Sequence, residues 1–250
     1  MKLARDTWLI LQYEILMLVR HPANVAVTLI QPVTYLILFA PFLKAVMRVS
    51  TGNAYQIYVP SLFCAMGVFS GMFAGFALLA AMRQGVITRC RVTPLSRVAL
   101  LLGRVFMYVL LIGFQGVVVT LAALLFGLRV QPANLLFALV LLALMTVVGV
   151  SISYHLALLV PNENALPTLI NSLSQPLSLL AGVLIPLSVA PLWIQHIALW
   201  NPFAWGTRAM RAVFAGQFGS PVVWQASLIL AVLAVVAVVL SSRLFSREIA

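Results

Sequence analysis

The sequence predicts an all-helical integral membrane protein with six spans. Of its 250 residues, 64% are hydrophobic and 8% charged, the mean hydropathy is +1.13, and the sparse charges leave six long uncharged intervals. A water-soluble domain carries charge on about a quarter of its residues, so this chain takes lipid as part of its solvent. Each interval holds the roughly 20 apolar residues that a helix needs to cross a bilayer. A barrel would need alternating strands of about ten residues, and these runs are continuously apolar over longer stretches. Trimmed at polar and turn-forming residues, the spans fall at 24–43, 57–82, 105–127, 133–160, 165–187 and 222–242.

Ahead of the first span, Trp8, Leu11, Ile15, Leu18 and Val19 recur at helical spacing. Arg5, Asp6, Gln12, Tyr13, Glu14 and Arg20 take the other side, which Ile10 and Met17 interrupt. Residues 5–20 therefore read as an amphipathic helix in the headgroup plane, with Trp8, Leu11, Glu14 and Ile15 as its marker residues. The alternative is a cytoplasmic helix packed on other protein. His21-Pro22 ends the segment, because proline disfavours helix in the residue before it. Polar residues through the middle of 1–20 argue against the apolar core of a cleavable leader, so the first span is expected to act as its own insertion signal.

Between spans two and three lies the most polar segment of the chain, running from Arg83 to Arg97 and holding Arg89 and Arg91 as well. The fourth span carries Ser151, Ser153 and His155 near its end, a pattern that fits interhelical hydrogen bonding better than a hydrolase nucleophile and base. Glu163 follows in a short turn, where capping is the plain role and proton relay the alternative. Pro32, Pro41, Pro167, Pro176 and Pro186 fall inside spans and predict kinks, since neighbouring helices can satisfy the freed carbonyls.

From 187 to 221 the chain is apolar but studded with Pro191, Trp193, His196, Trp200, Asn201-Pro202, Trp205, Arg208 and Arg211. Tryptophans gather where membrane meets water. The stretch 192–200 is too short to cross, so 191–216 reads as two short re-entrant or interfacial helices. They turn at Asn201-Pro202 and end near Gly216. An ordinary outer loop is the alternative.

Six spans put both termini on one side. Lys2, Arg5, Arg20, Arg83, Arg89, Arg91, Arg97, Arg104, Arg243 and Arg247 fall on that side, against Lys44, Arg48, Arg129, Arg208 and Arg211 opposite. The excess predicts cytoplasmic termini. The net charge of +11 is thereby a topology and headgroup signal; spread over several loops, it forms no stripe for nucleic acid. Cys64 and Cys90 sit too far apart along the chain to pair within a helical layout and are expected as free thiols. Nothing separates domains, so 1–250 is one transmembrane domain.

Catalytic motifs are missing from the sequence. A phosphate loop needs glycines before Lys-Ser or Lys-Thr, and neither Lys2 nor Lys44 has that context. His21, His155 and His196 are isolated, so no metal site is expected. Coupled ion transport needs ionisable groups at mid-membrane depth, and the spans carry almost none. The reading is a non-enzyme without cofactor of its own, driven from elsewhere.

The chain resembles the membrane subunit of type-2 ABC exporters, in particular the daunorubicin-resistance-like permeases of bacteria. The likeness rests on Arg83-Gln84-Gly85, on Arg91 to Arg97 with Thr93-Pro94, on Leu101-Leu102-Gly103-Arg104, and then on Pro186, Pro191, Trp193, Asn201-Pro202 and Arg211. The resemblance implies a half-size permease of the bacterial cytoplasmic (inner) membrane that pairs with a second permease, as a homodimer, and with two copies of a P-loop ATPase subunit. ATP and magnesium would belong to that ATPase. It also implies that 84–96 forms a cytoplasmic coupling helix. Arg83, Gln84, Gly85, Arg89, Arg91, Thr93 and Pro94 would then meet the ATPase, while 191–216 would form extracellular re-entrant helices. Gln84 and Arg208 depart from acidic residues common in the family, so individual salt bridges do not carry over.

Uncharged spans rich in Phe, Met, Leu, Ser, Thr and Gln suit an amphiphilic or hydrophobic cargo such as a drug or lipid-like metabolite. The alternatives are a lipid-linked polysaccharide permease and an ATP-independent channel or scaffold. A sugar channel would call for aromatic lining, and the first and fifth spans offer only Tyr35, Phe39 and Phe42.

Overall fold

Nine helices and no strand make up the described residues of the computed structural model, which are 2–47, 51–83, 97–160, 165–183, 187 and 190–248. They are α1 (Lys2–Arg20), α2 (Pro22–Met47), α3 (Thr51–Arg83), α4 (Arg97–Leu125), α5 (Pro132–Leu159), α6 (Ala165–Leu180), α7 (Leu192–Ala198), α8 (Pro202–Phe214) and α9 (Pro221–Glu248). Proline opens α2, α5, α8 and α9. Its ring presets the helical φ, and its missing N–H falls where the first turn has no acceptor. Inside helices, Pro32, Pro41, Pro60 and Pro176 leave α2, α3 and α6 continuous. Pro186 lies outside the described residues.

Among the described residues, α3, α4, α5 and α9 are each long and apolar enough to cross a membrane alone. α1 and α2, bent by 77° at His21, add a fifth candidate as a pair. α5 matches its expected span within one residue, whereas α2, α3 and α9 run past theirs at both ends and α4 at its start, because hydropathy marks the most apolar stretch and not the helical turns that flank it.

The fifth expected span differs from its bounds. A helix was expected across 165–187, but α6 stops at Leu180, 16 residues long, about 24 Å at the helical rise. Gly182 adopts φ +72°, its N–H bonds the Leu179 carbonyl, and the Val183 N–H bonds back to Ser178 at 3.4 Å. That is a left-handed glycine cap, which only a residue without a side chain takes at low cost. Hydropathy is blind to it, since the apolar run continues past the cap.

α3 is the central helix and packs on α2, α4, α5, α6 and α8. Its most apolar stretch is 67% buried, against 22% for α9. Gly67, Gly71 and Gly75 line one face of α3 against Met145, Gly149 and Ser153 of α5; a Cβ on Gly71 would stand 3.0 Å from the Gly149 Cα. Lipid-immersed helices have no hydrophobic effect to hold them together, so close backbone approach through small residues supplies the dispersion contacts. The same approach lets the Ser153 hydroxyl accept from the Gly75 N–H at 2.8 Å and donate to the Met72 carbonyl. Ser241 donates likewise to the Ser151 carbonyl at 2.6 Å, tying α9 to α5.

Candidate functional site

α1 lies against α4, and the fit begins with Gly103. A Cβ there would come within 2.6 Å of Ile10 Cγ2 and 3.3 Å of the Thr7 carbonyl. Bare backbone at that point lets α1 settle until Ile10 and Leu11 are buried and Glu14 meets Arg104, Oε1 to Nε 3.1 Å. The side chains of this pair are 19% and 12% exposed. Water screens them poorly there, so their attraction is stronger than in a surface ion pair, while desolvation of the two charges offsets part of it. Tyr108, one turn on, lies next on the same side of α4.

This corrects the expected face of α1. The side of the helix carrying Thr7, Ile10, Leu11 and Glu14 seats on protein, while Trp8 at 58% and Val19 at 67% exposure point away. Ile10 had read as an interruption of a polar face; it is the residue that fills the space over Gly103. Ile15 is half-buried. α1 thus has one side toward α4 and another, rich in Trp8, Leu9, Leu16 and Met17, open to its surroundings.

The expected coupling residues Gln84, Gly85, Arg89, Arg91, Thr93 and Pro94 lie outside the described residues, as does Glu163. What is described are the flanks: α3 ends at Arg83 and α4 starts at Arg97. The 84–96 segment therefore connects the central helix directly to the helix that holds α1.

On the far side, Asn201 and Arg211 tie the α7–α8 unit to the end of α6. Asn201 Oδ1 accepts from the Phe203 N–H at 3.0 Å, capping α8, while its amide donates to the Leu177 carbonyl at 2.7 Å. Arg211 Nη2 donates to Ser61 Oγ and to the Gly182 carbonyl, both at 2.7 Å. Burial lowers its pKa, though a guanidinium stays charged throughout. Arg211 was counted among outer-loop cations; its acceptors on α3 and at the end of α6 give it a place in the packing of the fold. Pro191 and Trp193 sit at the start of α7, both exposed.

One group of residues escaped the sequence reading as a group. Gln115, buried on α4, donates through Nε2 to Thr28 Oγ1 on α2 at 2.9 Å, and the Thr28 hydroxyl donates to the Val25 carbonyl. Gln31, Ser70 and Tyr108 join them around a cleft of ≈ 310 Å³ between α2, α3 and α4. A glutamine in a long apolar helix is the signal that points there, since its amide needs partners that lipid cannot offer. α6 shows a second uncharged polar surface, with Thr168, Asn171, Ser172 and Gln175 exposed while Leu166, Ile170 and Ser174 are buried.

Cys64 is a buried free thiol, its Sγ 3.7 Å from the Phe203 carbonyl; Cys90 lies outside the described residues. Among the described residues no three His, Cys, Asp or Glu side chains gather as a metal site.

A family profile described as ABC-2 type transporter matches residues 5–215. A candidate transport permease of Cyanophora paradoxa, ycf38, is 26% identical over 216 residues, which are 84% of this chain and 74% of that relative. Its namesake in Porphyra purpurea is 27% identical over 201 residues, 78% of this chain and 69% of the relative.

Proposed function

The chain belongs to the ABC-2 type transporter family, and from that premise we propose that it is the membrane subunit of an ATP-driven exporter of amphiphilic or hydrophobic molecules. It crosses the bacterial cytoplasmic membrane six times with both termini inside, α2 and α6 being the first and fifth spans. It works as a homodimer with two copies of a separate P-loop ATPase, which holds the ATP and magnesium.

The observation that supports this reading best is the seat of α1 on α4. A permease without a nucleotide site has to receive mechanical work at its cytoplasmic side and pass it into the bundle. Interdigitation at Gly103 and the Glu14–Arg104 pair make α1 and α4 one body. α4 is also the helix that 84–96 leads into, so a push on either cytoplasmic element reaches the same span. The uncharged polar surface of α6 supports a second copy. Asn171 and Gln175 are costly against lipid tails and are better placed against protein or a passage between subunits.

Purification from the native membrane should bring down a P-loop ATPase with the chain, and vesicles containing both should extrude an amphiphile only with ATP. A chain that purifies alone and moves the amphiphile without ATP is no exporter subunit.

A further inference from the structure

We propose that the cleft between α2, α3 and α4 binds the uncharged polar head of an amphiphile, whose tail lies in the neighbouring groove between α1, α2 and α4. The inference rests on the exporter reading and names the cargo chemistry and the place of contact.

Two spaces share Leu111 as a wall. One is the ≈ 310 Å³ cleft, where Thr28, Gln31, Ser70, Tyr108 and Gln115 bring hydroxyl and amide groups among Phe69 and Phe73. The other is a groove of ≈ 580 Å³ at the elbow of α1 and α2, lined by aliphatic side chains such as Leu18, Leu29, Met107 and Leu110. Both sizes suit a small ligand or one end of a lipid. Their residues stand side by side in sequence, Thr28 with Leu29 on α2 and Phe114 with Gln115 on α4, so each helix turns a polar edge to one space and an apolar edge to the other. The combination matches a molecule with a polar end and a chain.

Charge decides which polar end. Among the described residues, no Asp, Glu, Lys, Arg or His lines the cleft. The ion pair of Glu14 with Arg104 lies one turn away from Tyr108 and outside the cleft's lining. A phosphate or carboxylate head would find no cation there and would lose its water without return. A hydroxylated, amide or glycosyl head finds donors and acceptors in Gln31, Gln115 and Tyr108 that are otherwise hard to satisfy in lipid. Thr28 lies two turns into α2 and Tyr108 one turn beyond Arg104, which puts the site in the cytoplasmic half of the membrane. That is where such a molecule would arrive.

The test uses the full-length chain in nanodiscs and three photoreactive diazirine probes: a monoacylglycerol, a lysophosphatidic acid of the same chain length, and a plain alkane. The monoacylglycerol should label α2 and α4 around Thr28 to Gln31 and Leu111 to Gln115. Gln31→Leu with Gln115→Leu should cut that labelling by about fivefold, the loss expected from one or two hydrogen bonds, with alkane labelling unchanged. Thr28→Val should weaken it and Thr28→Ser restore it, a pair that keeps the test valid if the double variant misfolds. Equal labelling by the alkane, stronger labelling by the lysophosphatidic acid, or indifference to the variants overturns the proposal. ATP-driven efflux from vesicles is scored separately. Lost labelling with intact efflux removes this site alone, whereas retained labelling without ATP dependence removes the exporter reading alone.

Discussion

Gly71 on α3 and Gly149 on α5 stand so close that a methyl group on either would press into backbone of the other: 3.0 Å from the Gly149 Cα in one direction, 3.2 Å from the Gly71 Cα in the other. No side-chain rotation can relieve such a contact.

Enlarging that contact should therefore destabilise the bundle. Overpacking costs about 1–3 kcal/mol, while replacing a helical glycine with alanine returns about 1 kcal/mol. Gly149→Ala is accordingly mildly destabilising and Gly149→Val severely so, read as a falling midpoint of thermal unfolding in detergent. Gly113 on α4 has nothing within 4 Å of its would-be Cβ, and Gly113→Ala should be neutral or stabilising. Equal effects at the two sites would refute the close-packing account.

Separating α1 from α4 should uncouple work from transport. Arg104→Gln leaves Glu14 largely buried and alone, Glu14→Gln leaves Arg104, and the double change removes both charges. A double-mutant cycle on stability should give a coupling of about 1–3 kcal/mol. In the proposed complex with an ATPase, single variants should still support ATP hydrolysis while exporting less per ATP. Additive single effects would mean the 3.1 Å pair is incidental.

Arg211 gives a sharper chemical contrast, because both of its bonds leave from the one nitrogen Nη2 while its Nε is buried without a partner. A lysine ammonium can make two such bonds, so Arg211→Lys should stay within about 1 kcal/mol of the parent. Arg211→Met leaves Ser61 and the Gly182 carbonyl unserved and should cost about 2–3 kcal/mol. A thermal or denaturant melt separates the two, and loss with lysine as large as with methionine would show that guanidinium shape is what matters.

Sidedness has a direct check. Cys90 falls in the arginine-rich connection, whereas Cys64 is fully buried, so a membrane-impermeant maleimide should label the chain at Cys90 in inverted vesicles and leave intact cells unlabelled. Labelling from outside would reverse the orientation.

Local grammar was legible in the sequence. His21-Pro22 breaks α1 from α2, and Asn201-Pro202 separates α7 from α8, because a cap and a preset φ act within two or three residues. Gly216, at φ +78°, closes α8 where the reading ended it. What escaped depends on partners remote in sequence. Ile10 looked misplaced until Gly103 stood beneath it, and Arg211 looked like a loop cation until Ser61 and Gly182 supplied its acceptors. Gln31 and Gln115 were two isolated glutamines until α2 and α4 came together around a cleft. The end of α6 escaped for another reason, since a left-handed Gly182 has no hydropathy.

The two side chains that hold α6 from outside, Asn201 and Arg211, grasp carbonyls of its last turn and cap, Leu177 and Gly182. Backbone acceptors there cannot be mutated away or rotated aside, and α8 is fastened in turn to α3 through Ser61. The α7–α8 unit is therefore riveted to α6 and to α3 at once, and parting it from the end of α6 alone breaks two part-buried hydrogen bonds.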